Sequence, residues 1–362
     1  MLSNCDGRRA VATNFDHAGP WRAVSRCAIW LLFLAFGFAC TACPAWGQTR
    51  LRIATLNVEI LTAPGVRAGE LQKYRWDVAR RAQFERTASV IEALNPDVFN
   101  LLEATSKEAI DLLVEILHEK GLTDLHGYHV ECNDSYTGMD VSVITRLKPE
   151  LVDDLAIRTL YSSSDDPTWR QAYSMTSPNG NPIRRNASLS RNGCYLLSID
   201  GYKLGFLGLH LKSDPSDPYA NAQREAQAEI AKRIVRQEIV GRGYTPIILG
   251  DLNDYDPDVP DRDPERETVT QVLAKLKDFD PETPAPELFN AATKIGRQAD
   301  RYTSHWDRNE NGVEDPFDVF TMIDHILLPQ SLSASVRRAF VFHSVELRTT
   351  DHRAVVVDLD LP

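Results

Sequence analysis

The clearest structural signal in this 362-residue sequence is the stretch Pro246-Ile-Ile-Leu-Gly-Asp-Leu-Asn253. Its apolar run predicts a fully buried β-strand. Asp251 and Asn253 follow that strand directly, and side chains two residues apart on extended backbone point the same way. A buried carboxylate loses solvation free energy unless partners or a metal ion compensate it. The stretch therefore predicts a functional site at the end of a central strand.

Polar residues suited to metal and phosphate chemistry also end five other apolar strands. Each one alone has an ordinary structural explanation, such as a strand-end acid, a core histidine or a turn residue. Six such strand ends in one chain together predict one shared site. The further residues are Asn57, Glu103, His210, Asp324, and Asp351 with His352.

The spacing of apolar residues predicts helices and strands in mixed order, without a repeat or a long linker. Helices are predicted over residues 78–94, 107–119, 220–240 and, briefly, 269–276. The acid-rich region 254–286 is predicted to be a surface excursion. Strands are predicted over 51–58, 97–103, 140–145, 194–199, 204–211, 246–250, 322–328, 336–342 and 354–361. These elements predict one domain over 48–362, with two sheets packed face to face and helices outside.

The strand-end motifs and their order resemble the endonuclease/exonuclease/phosphatase superfamily, whose fold is deoxyribonuclease I-like. The resemblance covers residues 51–361 and implies an α/β fold, a four-layered α/β/β/α sandwich of two mixed β-sheets. It also implies a Mg²⁺-dependent site for phosphoester hydrolysis where the strand ends converge. The matching segments are T-L-N-V-E (55–59), L-E (102–103), G-L-H-L-K-S (208–213), L-G-D-L-N (249–253), I-D-H-I-L (323–327) and T-D-H (350–352).

The resemblance implies a metal site at Glu103, with Asn57 beside it and Asp351 as a further ligand. Mg²⁺ is a hard octahedral cation that usually takes one or two carboxylates and keeps several waters, so this donor set is sufficient. Mn²⁺ and Ca²⁺ are the alternative ions.

The same correspondence assigns catalytic roles. His352 is expected to be the general base, oriented by Asp324, because an imidazole titrates near neutral pH. Asp251 is the alternative base, and Asn253 is expected to donate to a phosphoryl oxygen. His210 resembles the second phosphate-facing histidine of the deoxyribonuclease I and sphingomyelinase branches. Abasic-site endonucleases carry Asn there, so the sequence departs from that branch.

Four residues are candidates for substrate contacts. Tyr136 and Asp140 correspond roughly to the family strand whose Tyr or Asp faces the substrate. Arg185 and Lys212 are candidates for flanking phosphates, although solvated basic residues beside a cleft are the more common case.

The leading functional hypothesis is an exported phosphodiesterase that acts on DNA or RNA. The segment 210–213, followed by Arg224-Glu-Ala-Gln227, resembles secreted bacterial nucleases of the superfamily. The alternatives are a phospholipid or inositol-phosphate phosphoesterase of the same fold and a non-catalytic binding module. The sequence shows no evident aromatic hairpin for membrane docking, and all the motif residues are present.

The net charge of −11, from 40 Lys and Arg against 51 Asp and Glu, argues against a protein that coats nucleic acid. An acidic chain is compatible with a metal-dependent hydrolase, since a bound metal supplies the local positive charge that a phosphate needs. No obligate protein partner is evident, and a monomer is expected.

Residues 1–47 read as a secretory signal with a long n-region, which predicts a secreted or periplasmic protein. Four Arg residues precede an apolar run over 27–43, and small residues follow it. An uncleaved membrane anchor is the alternative, because the run over 27–46 is about 20 residues long. After cleavage no stable membrane association is expected. Outside the leader only Cys132 and Cys194 are present, and they are either one disulfide or two small buried residues.

A weaker pattern in the segment 307–318 resembles a calcium-binding loop. Asp307, Asn309, Asn311 and Asp318 occupy the first, third, fifth and twelfth positions of such a loop. The twelfth residue is Asp and not the usual Glu. The pattern predicts either a second site, for Ca²⁺, or a polar turn rich in Asn and Gly.

Overall fold

Two mixed β-sheets and four α-helices make up most of the part of the chain that the structure describes. A computed structural model describes residues 49–67, 69–70, 80–162, 167–177, 179–263, 270–346 and 348–361. The described helices are α1 (Arg81–Leu94), α2 (Lys107–Glu119), α3 (Pro218–Ile234) and α4 (Val272–Lys277). The described strands are β1 (Thr49–Leu61), β2 (Val98–Ala104), β3 (His126–Val130), β4 (Asp140–Thr145), β5 (Pro149–Glu150), β6 (Arg170–Thr176), β7 (Pro182–Ser188), β8 (Asn192–Ile199), β9 (Tyr202–His210), β10 (Thr245–Asp251), β11 (Leu288–Asn290), β12 (Ser304–Trp306), β13 (Val319–Thr321), β14 (Asp324–Pro329), β15 (Val336–Phe342) and β16 (Ala354–Leu361).

The first sheet has the strand order β15-β16-β1-β2-β4-β3, and the second has the order β11-β14-β10-β9-β8-β5. Each contains one parallel pair, β1 with β2 and β10 with β9, while their other pairs are antiparallel. Two smaller two-stranded sheets, β6-β7 and β12-β13, lie outside them.

Three apolar clusters define the layers. Along β16 the side chains alternate: Val355 and Val357 belong to the cluster between the sheets, whereas Val356 packs with the helices α1 and α2. On the other side, α3 and α4 cover the second sheet, for example through Ile234 against Ile248. The result is helix, sheet, sheet, helix. The predicted four-layered α/β/β/α sandwich of two mixed sheets is confirmed.

Gly250 allows the central strand β10 to approach its neighbour closely. It has a φ of +132°, and a Cβ atom there would lie 2.1 Å from the carbonyl oxygen of Leu209 on β9. Only glycine fits this backbone. The position sets the direction of the chain immediately before Asp251.

Most predicted elements are present with small changes in length. The helix predicted over 220–240 is α3, which continues as a π-helix over Val235–Ile239 and a 3₁₀ turn over Val240–Arg242. The helix predicted over 78–94 begins at Arg81, and residues 78–79 lie outside the described residues. The helix predicted over 269–276 covers Val272–Lys277, and residue 269 also lies outside them.

The prediction of a surface excursion over 254–286 is wrong at its beginning. Asp254 and Asp256 are buried because each carboxylate has a buried cationic partner. Asp254 pairs with Arg224 at 3.0 Å, and Asp256 pairs with Lys277 at 2.7 Å. Charged residues can enter a protein interior when they are paired in this way.

Cys132 and Cys194 are both buried and free, so the structure agrees with the interpretation as small interior residues. Residues 48–362 form one compact unit. The predicted leader over 1–47 lies outside the described residues. Within the described part of the chain, no helix is long and apolar enough to cross a membrane.

Candidate active site

The sheet topology brings the predicted strand ends to one place. In the first sheet β1 and β2 run parallel, so Asn57 and Glu103 lie at the same edge. In the second sheet Asp251 is paired with His210 on the parallel strand β9 and with Asp324 on the antiparallel strand β14. Because the two sheets are packed face to face, these two edges form one polar cluster.

The two sheets are joined at the cluster by the side chain of Asn57. Its amide nitrogen donates to Glu103 Oε1 at 2.9 Å and to Asp251 Oδ2 at 3.2 Å. Its carbonyl oxygen accepts from the backbone N–H of Glu59 at 3.1 Å. Asn57 therefore holds two buried carboxylates together, and it would have to turn its amide to offer a metal its oxygen.

The backbone is strained at two of these positions. Glu103 has a φ of +69° and Asn253 has a φ of +50°, in a region that costs a non-glycine residue free energy. At Glu103 the register shifts in the pairing of β2 with β1 and in its pairing with β4. The bulge directs the Glu103 carboxylate to the backbone N–H of Ile60, which donates to Oε2 at 3.1 Å. Such strain persists where the surrounding structure fixes the conformation, as at functional sites.

His352 and Asp324 form a buried dyad. His352 Nδ1 lies 2.8 Å from Asp324 Oδ2, and Nε2 lies 3.9 Å from Asp251 Oδ2 and 3.8 Å from Asp351 Oδ1. Burial opposes a charge on the imidazole, but the carboxylates of Asp324, Asp351 and Asp251 outweigh it and raise the pKa of His352 well above its usual value. The dyad therefore favours an imidazolium.

His210 has the opposite electrostatic setting. Its Nε2 lies 3.6 Å from Glu103 Oε1 and 3.7 Å from Asp251 Oδ2. Burial, together with the nearby cations Arg191 and His352, lowers the pKa of His210 well below its usual value. Two histidines in one cluster are thus biased toward different charge states.

The cluster has more negative charge than the surrounding residues compensate. Burial is the main cause that raises the pKa of Glu103, and burial followed by the charge of Asp324 raises the pKa of Asp251 to about 7. Asp324 Oδ1 is buried and, among the described residues, has no hydrogen-bond partner. Asp251, Asp324 and His352 bring ligand atoms within 4.8 Å of one another. Buried oxygen donors with unbalanced charge fit a hard divalent cation.

The predicted substrate-contact residues do not all lie at the cluster. Tyr136 is 58% exposed and Lys212 is exposed just beyond the end of β9. Arg185 is exposed on β7, opposite Tyr173. Asp140 is buried, and its Oδ1 accepts from the backbone N–H of Cys132 at 2.8 Å. Its side chain is therefore engaged within the β3–β4 hairpin.

Of the other predicted residues, Asn253 is buried and its side-chain amide donates to the Leu211 carbonyl at 3.2 Å. Its backbone N–H donates to Asp251 Oδ1 at 3.0 Å. Asp351 is about half-exposed at the rim, and its carbonyl accepts from the N–H of His305 at 2.8 Å.

The R-x-x-Q pattern on α3 has a structural role. The Arg224 guanidinium is buried and donates to the carbonyls of Lys212 and Asp214 at 2.9 and 3.2 Å. Gln227 accepts from the N–H of Lys212 at 2.9 Å. The pattern thus fixes the segment that follows His210.

The segment 307–318 forms a tight polar loop between β12 and β13. Asp307 Oδ1 accepts from the N–H of Asn311 at 3.1 Å. The side-chain amides of Asn309 and Asn311 donate to Asp315 Oδ2 at 2.8 and 2.7 Å. Asp318 Oδ2 accepts from the N–H of Asp315 at 3.0 Å. The four predicted calcium ligands lie in one loop, where Asp315 accepts from both Asn side chains and Asp318 Oδ2 lies 2.7 Å from His305 Nε2.

Sequence reasoning missed several residues that hold the cluster. Thr303 accepts from the backbone N–H of Asp324 at 3.0 Å, and Thr350 donates to the Asn57 carbonyl at 2.8 Å. Glu59 has a φ of +51°, and desolvation with the nearby carboxylates of Asp351 and Glu103 raises its pKa to about 7. Thr350 and Glu59 lie inside the motif segments 350–352 and 55–59, and this position is the signal by which they could have been found.

Known proteins share this sequence pattern and fold. The sequence matches the model of the Endonuclease/Exonuclease/phosphatase family over residues 54–352. No curated protein matches it significantly. An endonuclease/exonuclease/phosphatase family protein from Leptotrichia buccalis is 15% identical, with a TM-score of 0.53, over 86% of this chain and 100% of its own.

Two further solved structures are similar. A 3'-5' exonuclease (NExo) from Neisseria meningitidis is 16% identical, with a TM-score of 0.51, over 86% of this chain and 100% of its own. Truncated TDP2 from Caenorhabditis elegans is 16% identical, with a TM-score of 0.49, over 86% and 98%. The TM-scores above 0.5 of the structures from Leptotrichia buccalis and Neisseria meningitidis show a shared fold, whereas the family match extends from β1 to His352. The chain belongs to the Endonuclease/Exonuclease/phosphatase family and is a metal-dependent phosphoric ester hydrolase.

Proposed function

We propose that the chain is an exported, Mg²⁺-dependent phosphodiesterase that hydrolyses phosphodiester bonds in DNA or RNA by attack of water. The observation that carries this proposal is the cluster of Glu103, Asp251 and Asp324 with two histidines of opposite charge bias. Such a cluster offers a cation site, a proton acceptor and a charged donor within a few ångströms.

Glu103 is the residue expected to hold the metal, with Asn57 hydrogen-bonded to it and Asp351 at the rim. When bound there, Mg²⁺ supplies positive charge for the phosphate oxygens. The strained backbone at Glu103 and the N–H of Ile60 fix one carboxylate oxygen, which leaves Oε1 to be shared with Asn57. This arrangement supports an ion held by few protein ligands.

Asp251 and His352 divide the proton chemistry in this proposal. A group with a pKa of about 7, such as Asp251, is suited to take a proton from water near neutral pH. An imidazolium at His352, held by Asp324, would stabilise negative charge that develops on the phosphate. The proposal therefore favours the alternative base, Asp251, over His352, whose pKa the neighbouring carboxylates raise.

A neutral His210 completes the site. Its Nδ1 is buried and lacks a hydrogen-bond partner within the part of the chain that the structure describes. Its Nε2 faces the two carboxylates of Glu103 and Asp251. A neutral ring in this position can donate one hydrogen bond to a phosphoryl oxygen without adding a second positive charge beside His352.

The proposal is tested by incubating the purified protein with a substrate panel in Mg²⁺ and in EDTA. The panel contains single- and double-stranded DNA, RNA, sphingomyelin and an inositol phosphate. Cleavage of a polynucleotide in Mg²⁺ and no cleavage in EDTA are expected. The proposal fails if all nucleic acids stay intact while a lipid or inositol phosphate is cleaved.

One observation favours the phospholipid phosphoesterase as a second candidate. The β12–β13 hairpin exposes Trp306, Val313 and Phe317, by 58%, 63% and 70%. No aromatic hairpin was evident from the sequence, because these residues are scattered among charged ones. Exposed apolar side chains on one hairpin are typical of membrane docking. Cleavage of sphingomyelin in vesicles that is lost in a Phe317→Ser variant would support this candidate.

Two finer parts of the proposal rest on sequence and loop geometry. Export rests on the pattern of residues 1–47 and is tested by cell fractionation with mass measurement of the recovered chain. A Ca²⁺ site in the 307–318 loop rests on the sequence pattern of Asp307, Asn309, Asn311 and Asp318, with Asp315 hydrogen-bonded to both Asn side chains. Equilibrium dialysis with Ca²⁺, compared between the wild type and Asp315→Asn, tests it.

A further inference from the structure

A second group of ligating side chains lies on the β3–β4 hairpin, apart from the catalytic cluster. His129 on β3 is paired with Ser142 on β4. Glu131 follows His129 by two residues, and Asp140 precedes Ser142 by two. Side chains at this spacing share a face of the sheet. The hairpin therefore places one imidazole and two carboxylates together.

The two inner members of this group face each other without a hydrogen bond. The side chains of His129 and Asp140 are only 4% and 2% exposed. His129 Nε2 and Asp140 Oδ2 are both buried, and neither has a hydrogen-bond partner among the described residues. Buried polar atoms are rarely left unpartnered, so this pair requires an explanation.

The separations in the group suit a shared metal ion better than an ion pair. His129 Nε2 lies 3.4 Å from Asp140 Oδ2 and 3.8 Å from Glu131 Oε2. A charge-assisted N–H···O bond would measure about 2.7–2.9 Å. Two ligand atoms at the usual zinc distances of about 2.0–2.1 Å and at a tetrahedral angle would lie about 3.4 Å apart. All three ligand atoms lie within 4.8 Å of one another.

The hairpin also holds the second ring nitrogen of His129 and the second carboxylate oxygen of Asp140. His129 Nδ1 lies 2.9 Å from Ser142 Oγ, and Asp140 Oδ1 accepts from the N–H of Cys132 at 2.8 Å. Such contacts orient a histidine and a carboxylate for a metal. The Cys132 thiol donates to the Asn192 carbonyl at 3.5 Å, and its sulfur is not among the ligand atoms that lie within 4.8 Å of one another.

We propose that His129, Glu131 and Asp140 bind a divalent cation of the zinc class, independently of the catalytic metal. One imidazole and two carboxylates suit Zn²⁺, which takes nitrogen and oxygen donors in tetrahedral sites. Glu131 is 81% exposed, so it closes the solvent side of the site and leaves the fourth position to water.

A cation there would fix the loop between the two strands. Residues 131–139 are connected to His210 through Arg191, which directly precedes β8. Asp134 pairs with Arg191 at 2.7 Å, and the Arg191 carbonyl accepts from the N–H of His210 at 3.2 Å. The same loop presents the exposed Tyr136. The site would therefore steady a loop that is connected to His210 through Arg191.

The test is Zn²⁺ binding by the protein expressed from its complete sequence. Metal-free protein is equilibrated with Zn²⁺ in excess Mg²⁺, which competes at the oxygen-rich catalytic cluster, and bound zinc is measured by mass spectrometry. The wild type is expected to bind one equivalent more than His129→Asn. Glu131→Gln, whose side chain is exposed and not needed for folding, is expected to weaken that binding by about tenfold or more.

His126→Asn is the matched control, because His126 is an exposed histidine on the same strand. It is expected to bind zinc as the wild type does. Co²⁺ added instead of Zn²⁺ should give the visible absorption of a tetrahedral ion in the wild type and not in His129→Asn. Equal zinc content and affinity in the wild type, His129→Asn and Glu131→Gln would overturn the proposal.

Discussion

Buried carboxylates define the chemistry of this protein at the scale of single residues. Glu103, Asp251 and Asp324 are buried within one cluster, and burial raises the pKa of Glu103 and of Asp251. Asn57 and His352 offset part of this cost through hydrogen bonds and charge. The remaining imbalance is what a bound cation would relieve.

Replacing Asp251 by Asn is expected to stabilise the metal-free fold at alkaline pH. The folded-state pKa of about 7 lies above the unfolded value. Between about pH 4 and 7 the folded chain therefore binds more protons than the unfolded chain, and stability falls as pH rises. The variant should gain about 1–2 kcal/mol of unfolding free energy at pH 8, and the gain should disappear near pH 4.

Denaturant unfolding in EDTA at several pH values measures this effect. Saturating Mg²⁺ is the control, since a bound cation should remove most of the advantage. A variant that is less stable than the wild type at pH 8 in EDTA would show that the buried Asp251 carboxylate does not destabilise the metal-free fold.

The pH dependence of kcat distinguishes the two roles assigned to His352. If the imidazolium stabilises the phosphate, activity falls at alkaline pH, as the raised pKa of His352 is passed and the proton is lost. His352→Gln should lower kcat about 100-fold or more and abolish that alkaline limb. A wild-type kcat that rises through the same pH range would instead make His352 the base.

At the scale of elements, the β12–β13 hairpin supports the dyad. Thr303 precedes β12, and its hydroxyl oxygen accepts from the backbone N–H groups of Ile323 and Asp324 at 3.1 and 3.0 Å. Ser304 at the start of β12 also forms a bridge with His352. The hairpin therefore holds both partners of the dyad at their backbones.

Thr303→Val should reduce stability and kcat together. The change leaves two buried N–H groups without an acceptor, which costs about 1–3 kcal/mol. Thr303→Ser keeps the hydroxyl and is the matched control, with nearly normal kcat expected. Steady-state kinetics beside thermal unfolding give both quantities; a fully active Thr303→Val would show that this support is dispensable.

The strands that were predicted and those that were missed differ in composition. The strands β10 and β16 are predictable because most of their residues are apolar and nearly all are buried. The strands β6 and β7, which form a separate two-stranded sheet, were not predicted. Strand β6, Arg-Gln-Ala-Tyr-Ser-Met-Thr, has no buried residue, and only Tyr173 and Met175 are half-buried apolar ones. So short an apolar alternation is too weak to favour a strand.

At the scale of the whole molecule, the residues of the site were predictable while their connections were not. Asn57, Glu103 and Asp251 carry a chemical signature at the end of apolar strands. That Asn57 bridges the other two depends on contacts across 46 and 194 residues of chain. Such contacts follow from the packing of two sheets, which no local pattern encodes.

The charge of the whole chain bears on its substrate. The net charge is −11, and removal of a leader with four Arg and two Asp would make it −13. Long-range attraction of a polynucleotide is therefore unfavourable, and binding must depend on local cations. Lys212, exposed beside the end of β9, is the best placed of these.

Polynucleotide binding is expected to weaken modestly with salt. Each phosphate contact contributes about 0.9 to the slope of log K against log salt on duplex DNA. Lys212→Ala should lower the slope by about one unit, and Arg185→Ala should do so if Arg185 reaches a phosphate. Lys148→Ala, just beyond the far end of β4, is the control. A slope unchanged by Lys212→Ala would remove that contact.

The central claim is that Glu103 holds the divalent metal on which phosphodiester hydrolysis depends. The most direct measurement is the rate of hydrolysis of bis(p-nitrophenyl) phosphate against Mg²⁺ concentration for the wild type and Glu103→Gln. The wild type should be inactive in EDTA and should saturate with Mg²⁺. The variant should need at least about tenfold more Mg²⁺ for half-maximal rate. Full activity of the wild type in EDTA, or the same Mg²⁺ dependence in both proteins, would contradict the claim.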